Sequence, residues 1–189
     1  MTKTEKAVTW AIAIADDHTH GYDQVHRWGP DYDCSSLIIS AWQQAGVPVR
    51  TNGASYTGNM KSVFLACGFT DVTSRIALLT GNGMKRGDVI INTMHHTVMY
   101  IGNGQIVGAR INENGSISGG KTGNQTGKEI MVQNYYVYQH GWDCVLRYAE
   151  NNSDVDFSTE TISSSRYENI SQGQMYAARF LCAKNFSTL

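Results

Sequence analysis

The hydrophobic periodicity of the chain changes once, near Gly87, from a helical pattern to a strand-like one. Before that point, apolar residues recur every three to four positions in residues 4–16, 34–45 and about 57–67, which is the spacing of one helix face. After it come short runs rich in β-branched and aromatic residues: GDVIIN, HTVMYIG, QIVGARI, EIMVQNYYVY and CVLRYA. The pattern predicts an α+β domain, with N-terminal helices packed on a small antiparallel sheet.

Composition divides the chain into three segments. Residues 1–149 contain all the predicted helices and strands. Residues 150–174 are rich in Ser, Asn, Asp and Glu, which is typical of a polar linker. Residues 175–189 form a short amphipathic tail, too short to fold alone, that can be the start of a further module.

The overall charge and hydropathy exclude several classes of function. The net charge is −1, whereas nucleic-acid binding needs a basic surface, so no nucleic-acid partner is predicted. No apolar run approaches the roughly 18 residues of a membrane span, so membrane insertion is not predicted. The N-terminus lacks the basic head and apolar core of a signal peptide, so we expect synthesis in the cytoplasm without such a signal.

The four cysteines lack any CxxC pair, and we expect reduced thiols without a structural zinc site: Cys34, Cys67, Cys144 and Cys182. Cys67 and Cys144 lie among apolar residues and are interpreted as buried small side chains. Cys34 follows Asp33, a predicted helix N-cap. The positive end of a helix should lower the pKa of this thiol, and the free N–H groups there can stabilise an oxyanion. Cys34 is therefore a candidate nucleophile.

A cysteine nucleophile needs a base, and histidine titrates in the right range. His95 and His96 open the predicted strand HTVMYIG, directly after the strand GDVIIN. Adjacent strand residues face opposite sides, so only one of the two is expected to meet Cys34. The pattern alone leaves both open. The other four histidines are interpreted as surface residues: His18, His20, His26 and His140. No carboxylate or cysteine stands at a spacing that would complete a metal site with any of them, and no metal is predicted.

Three blocks in order carry a family resemblance: GYDQVHRWGPDYDCSSL, KRGDVII and HTVMYIGNGQIVGA. They resemble the NlpC-type family of papain-like cell-wall cysteine peptidases, particularly its phage endolysin branch. The resemblance covers roughly residues 5–149. It implies a papain-like fold and a cysteine peptidase or amidase catalytic domain over residues 1–149, with no metal or organic cofactor.

The resemblance also implies roles for individual residues. Cys34 matches the nucleophile, and His96, which begins the matching strand, matches the general base. Tyr22 matches a tyrosine that lines the site and helps to steady the oxyanion. Asp33 and Ser35 match positions that shape the helix start and can contact substrate, although capping alone explains Asp33 equally well.

The third polar residue of the family pattern is missing at its usual position. The family places His, Asn or Gln 12 residues after the base, and the corresponding residue here is Gly108. Asn112 lies on the same face of a regular strand but about 13 Å further along. Four alternatives therefore stay open: Asn112, the neighbouring Glu113, a backbone carbonyl, or a Cys–His dyad.

The function implied by the resemblance is hydrolysis of an amide bond in the peptide stem of bacterial peptidoglycan. The enzyme would be an endopeptidase or an N-acetylmuramoyl-L-alanine amidase of a bacteriophage, reaching the wall after holin-mediated release. Residues 175–189 would then begin a cell-wall-binding module. Two alternatives are a catalytically weak or inactive wall-binding module and a papain-like transferase or deamidase acting on proteins.

Overall fold

The structure is a computed structural model that describes residues 1–123 and 126–150. Three helices come first: α1 (Lys3–Asp16), α2 (Cys34–Gln44) and α3 (Thr57–Ala66). Six strands follow, with a 3-10 turn at Thr73–Arg75 after the first: β1 (Phe69–Asp71), β2 (Val89–Asn92), β3 (His96–Gly102), β4 (Gln105–Ala109), β5 (Ile130–Asn134) and β6 (Cys144–Tyr148). The predicted α+β class is confirmed. The predicted linker beyond Glu150 and the predicted tail lie outside the described residues.

The strands form one sheet in the order β1-β6-β2-β3-β4-β5, and every neighbouring pair is antiparallel. The turn between β3 and β4 is Asn103-Gly104, and both residues have positive φ, +53° and +72°. This is the conformation of a tight hairpin that Asn-Gly favours. One irregularity follows, because the β3–β4 register shifts between Tyr100 and Gly102.

The helices cover one face of the sheet. Helix α2 packs against α1 and against β3 and β4, and its Leu37, Ile38 and Trp42 side chains have no exposed surface. Side chains of alternate strand residues, such as Ile91, Met99 and Val107, complete this core. The intervening strand residues point to the opposite face, where Ile90, Val98, Ile106 and Val145 form a second cluster with Trp142 from the segment before β6. No helix in residues 1–123 and 126–150 is long and apolar enough to span a membrane.

Two features differ from the sequence-based expectation. The three-residue β1, which pairs with β6, was not predicted because only its first residue, Phe69, is buried. The strand expected to extend through EIMVQNYYVY ends at Asn134. There the N–H of Tyr135 donates to the Gly104 carbonyl (2.7 Å), and its hydroxyl donates to the Leu78 carbonyl (2.5 Å). The aromatic residues after Asn134 therefore leave the sheet.

Candidate active site

One pocket of about 580 Å³ lies where α2 meets β3 and β4. Both residues that the sequence predicts as nucleophile and base line it, as does the predicted oxyanion residue. Its lining comprises Tyr22, Gln24, Cys34, His95, His96, Arg110, Ile111, Ile117, Tyr136, Val137, Tyr138 and Gln139. The structure thus brings together side chains from five separate stretches of the chain: residues 22–24, 34, 95–96, 110–117 and 136–139.

The start of α2 is capped as predicted. Asp33 is the N-cap: its Oδ1 accepts from the Ser36 N–H (2.7 Å), and the Ser36 hydroxyl accepts from the Asp33 N–H (2.9 Å). This reciprocal arrangement fixes the first turn of the helix. Cys34 follows as the first helical residue and is 7% exposed. The backbone of Thr97, the residue after His96 on β3, acts on this thiol and tends to lower its pKa.

The protonation state of Cys34 differs from the sequence-based expectation. The position at the helix N-terminus predicts a lowered thiol pKa, and this prediction is wrong. Burial, and to a lesser extent the neighbouring Asp33 carboxylate, raise the pKa of Cys34 to about 12, against the smaller opposing effect of nearby backbone groups such as that of Thr97. A thiolate in a dry site beside a carboxylate is costly, so Cys34 is a neutral thiol at pH 7.

His96 is the first residue of β3, in agreement with the prediction that His96 rather than His95 begins the strand. Its ring lies against two aromatic side chains, 5.3 Å from Tyr138 and 6.0 Å from Trp142 between centroids. Trp142 is itself fixed by a hydrogen bond from Nε1 to the Tyr136 carbonyl (3.1 Å). Burial, with a smaller contribution from the positive Arg110, lowers the pKa of His96 to about 4. The imidazole is therefore neutral at pH 7 and able to accept a proton.

His95 also lines the pocket, although alternation along a strand was expected to turn one of the two histidines away. The reason is that His95 lies in the turn before β3, where strand alternation does not apply. Its ring contacts that of His140, with centroids 4.6 Å apart.

Tyr22 is buried and contributes its phenol to the pocket. Burial, and to a lesser extent Cys34, raise its pKa well above the usual value, so the phenol stays protonated. Its oxygen accepts a hydrogen bond from Nε2 of Gln24 at 3.0 Å. Because that bond occupies the oxygen as acceptor, the phenolic O–H is available as a donor.

Asp33 and Ser35 do not line the pocket and instead bind an arginine of the same chain. Arg27 Nη1 lies 2.5 Å from Oδ2 of Asp33 and 3.1 Å from the Ser35 hydroxyl, and its Nη2 donates to the Ser55 carbonyl (2.5 Å). Asp33 and Ser35 are 4% and 2% exposed. The contact of Asp33 and Ser35 with substrate stays a prediction, because neither side chain has a surface that opens to the pocket.

The region of the missing third residue is closely packed. A Cβ built on Gly108 would lie 2.9 Å from Cγ1 of Val98, so this position leaves no room for a side chain without movement of β3. Asn112 is buried, and its Oδ1 accepts from the N–H groups of Asn114 (3.0 Å) and Ser116 (2.8 Å). Its Nδ2 donates to the Ser118 carbonyl (3.0 Å). Asn112 therefore stabilises the loop after β4, and its predicted role beside His96 has no supporting contact.

Sequence reasoning missed Arg110 and the aromatic residues around His96. Met99 pairs with Val107, and this register, if extended beyond the paired residues, would place residue 110 opposite His96. An ideal Asn-Gly hairpin would instead put residue 111 there, and the register shift near Gly102 accounts for the difference. The run NYYVYQHGW was visible in the sequence, but its strand-like composition concealed that it leaves the sheet.

In residues 1–123 and 126–150, no group of three or more His, Cys, Asp or Glu side chains is placed to hold a metal ion. The described cysteines are free thiols: Cys34, Cys67 and Cys144. The polar groups that line the pocket are one thiol, two imidazoles, phenols, carboxamides and one guanidinium.

Comparison with protein families identifies the chain. A model of the endolysin-like domain matches residues 29–107 and 106–171. The chain belongs to the endolysin-like domain family. This membership confirms the resemblance to endolysins that the three sequence blocks carry. No curated protein sequence matches the chain.

Several solved structures are similar to this endolysin-like chain. The Resuscitation Promoting Factor Interacting protein RipA is 20% identical with a TM-score of 0.47, covering 77% of this chain and 63% of RipA. NlpC1 from Trichomonas vaginalis is 17% identical with a TM-score of 0.49, covering 79% and 45%. The peptidoglycan hydrolase RipB from Mycobacterium tuberculosis is 22% identical with a TM-score of 0.41, covering 78% and 67%. The chain thus spans less than two thirds of the RipA and NlpC1 chains.

Proposed function

We propose that this chain is a peptidoglycan hydrolase that cleaves an amide bond of the cell-wall peptide stem, with Cys34 as nucleophile and His96 as general base. One observation carries the proposal: the side chains of Cys34, at the start of α2, and His96, at the start of β3, line the same pocket. Membership of the endolysin-like domain family supports the cell wall as the target.

The protonation states favour a proton transfer that accompanies attack. Cys34 starts as a thiol and His96 as a neutral imidazole, because burial raises the pKa of the first and lowers that of the second. As Sγ bonds to the amide carbonyl carbon, the imidazole accepts the thiol proton. Backbone N–H groups at the start of α2 and the O–H of Tyr22 stabilise the oxyanion that forms.

Collapse of the tetrahedral intermediate completes acyl transfer. The C–N bond breaks, and the imidazolium of His96 protonates the departing amine nitrogen, which leaves an acyl thioester on Cys34. The imidazole then accepts a proton from a water molecule that attacks the thioester. The C–S bond breaks, the sulfur regains its proton, and a carboxylic acid is released.

We propose that the site is a Cys–His dyad, in which aromatic side chains rather than a third polar residue hold the base in place. Trp142 and Tyr138 hold the His96 ring on one side, in the role that a third polar residue would otherwise serve. The side chain of Glu113 accepts from the Lys121 N–H (2.7 Å), and Asn112 is engaged in its own loop. Neither is needed in the proposed mechanism.

The experiment that tests this function is digestion of purified bacterial cell walls, followed by mass spectrometry of the released fragments. A new free amine and carboxylate within the peptide stem would identify an endopeptidase, and free muramic acid carboxylates would identify an amidase. Soluble fragments from neither reaction, with the enzyme folded, would leave a non-catalytic wall-binding module. Gly108 at the third position is the feature that favours that second candidate.

Action at the wall of a phage-infected cell after holin-mediated release remains a prediction of the endolysin resemblance. A protein-directed transferase or deamidase activity would appear as modification of protein glutamine or amine groups with intact walls. Parallel incubation of the enzyme with walls and with a denatured protein substrate separates the two activities.

A further inference from the structure

The pocket holds one fixed charge. Among the described residues, Arg110 is the pocket-lining side chain that carries a permanent positive charge, and neither Asp nor Glu lines the pocket. The remainder of the lining consists of phenols, imidazoles, amides, a thiol and apolar groups. The pocket therefore favours a negatively charged group over a positively charged one.

Three other arginines of the described residues form ion pairs that hold parts of the fold together. Arg27, Arg86 and Arg147 pair with Asp33, Glu5 and Asp88, respectively. Arg110 is exposed, and in the described part of the chain its guanidinium makes one long hydrogen bond, from Nη1 to Oε1 of Gln133 at 3.4 Å. A guanidinium has five N–H donors, so most of those on Arg110 are uncommitted.

The position of Arg110 relates it directly to the reacting groups. It directly follows β4, and its side chain lines the same pocket as His96, at the start of β3, and Cys34. Its charge acts on the imidazole, since it contributes to the lowered pKa of His96. Ile111 and Ile117 add exposed apolar surface to the same pocket, at 42% and 55% exposure.

We propose that Arg110 binds a carboxylate of the peptide stem close to the scissile amide, so that the pocket selects stems bearing a free acid over the corresponding carboxamides. This inference rests on the proposed function and adds a specificity-determining residue to it. The planar guanidinium matches the two oxygens of a carboxylate. The apolar surface of Ile111 and Ile117 can contact the aliphatic part of the same residue.

Binding of a carboxylate would also affect the base. A negative group on Arg110 offsets the positive charge that opposes protonation of His96. The imidazole then becomes more basic when the correct substrate is bound, which favours removal of the thiol proton. Selection of the acid should therefore appear in kcat as well as in KM.

The test uses two synthetic stem peptides that differ only in a free carboxylate or a carboxamide on the residue beside the scissile bond. The full chain should cleave the acid with a kcat/KM about tenfold higher than the amide, the effect of one charge-assisted contact. Arg110→Gln should bring the two peptides to similar values, and Arg110→Lys should keep part of the preference. Arg75→Gln, an exposed residue of the 3-10 turn outside the pocket, should retain the full preference.

Binding to a Cys34→Ala variant separates this inference from the proposed function. Calorimetry should detect tighter binding of the acid than of the amide, and the added Arg110→Gln change should remove the difference. Selective binding without any cleavage by the parent chain would overturn the hydrolase and leave Arg110 as a carboxylate-binding residue. Cleavage of both peptides at equal rates, or a preference that survives Arg110→Gln, would overturn the role of Arg110 and leave the hydrolase intact.

Discussion

The imidazole of His96 lies stacked on the indole of Trp142, with ring centroids 6.0 Å apart and planes inclined by 24°. Trp142 is 7% exposed and is fixed by its hydrogen bond to the Tyr136 carbonyl. The stack limits rotation of the imidazole and removes water from one of its faces. The orientation and the basicity of the His96 imidazole thus depend on Trp142, which is also part of the second hydrophobic cluster.

Replacing Trp142 with Leu should lower kcat about tenfold, because a base that can rotate spends less time aligned with the thiol. It should also move the acidic limb of the pH profile of kcat/KM to higher pH, since less burial raises the pKa of His96. Trp142→Phe keeps an aromatic face and serves as the matched control. A loss of activity that leaves the acidic limb in place would assign Trp142 to stability alone.

The pH dependence of kcat/KM follows from the neutral base. With a pKa of about 4 for His96, the imidazole is deprotonated at every pH above that value, so activity should persist to about pH 5. If the base were a histidine with an ordinary pKa, activity would fall near pH 6.5. Arg110→Gln removes a positive charge that lowers the pKa, and the acidic limb should therefore shift upwards. An acidic limb near pH 6.5 in the parent chain would contradict the burial of His96.

Alkylation of Cys34 by iodoacetamide reports the ionisation of the thiol. Because only the thiolate reacts and the pKa of Cys34 is raised to about 12, its rate should still be rising at pH 9. Mass spectrometry of the Cys34 peptide measures the rate, and the Cys67 peptide in the same digest is an internal reference. A rate that reaches a plateau below pH 7 would indicate a preformed thiolate and a different order of proton transfer.

Arg27 holds the N-cap of the nucleophile helix. Arg27→Gln leaves the buried Asp33 carboxylate without its 2.5 Å ion pair, and the free energy of unfolding should fall by about 2 kcal/mol. Urea denaturation measures this, with Arg75→Gln as a control that lies in the 3-10 turn. Equal stability of the two variants would show that Asp33 is satisfied by the serines of the helix start alone.

The sequence predicts the elements that local patterns specify. Asp33 before an apolar stripe predicts the capped helix that begins at Cys34, and Asn103-Gly104 predicts the hairpin after the strand of His96; both are confirmed. Local sequence patterns do not predict which distant residues pack around a side chain. The Cys34 thiol is buried by residues that are distant in the sequence, and this burial raises its pKa. The effect is larger than the lowering of the pKa that was predicted from the position of Cys34 at a helix N-terminus.

The same limit applies to the surroundings of His96. A register shift of one residue near Gly102 changes how β4 and the segment after it, which carries Arg110, run past β3. The departure of residues after Asn134 from the sheet brings Tyr136 and Tyr138 to the pocket. Both depend on contacts between residues far apart in the chain, such as the hydrogen bond from the Tyr135 N–H to the Gly104 carbonyl, which spacing along the chain cannot reveal.

The most direct test of Cys34 as nucleophile is clearance of a suspension of purified cell walls, followed as loss of turbidity. Cys34→Ala should abolish clearance and leave the circular dichroism spectrum and unfolding midpoint close to those of the parent chain. Cys67→Ala, which removes a thiol outside the pocket, should clear walls at the parental rate. Clearance by folded Cys34→Ala at an undiminished rate would contradict the thiol mechanism.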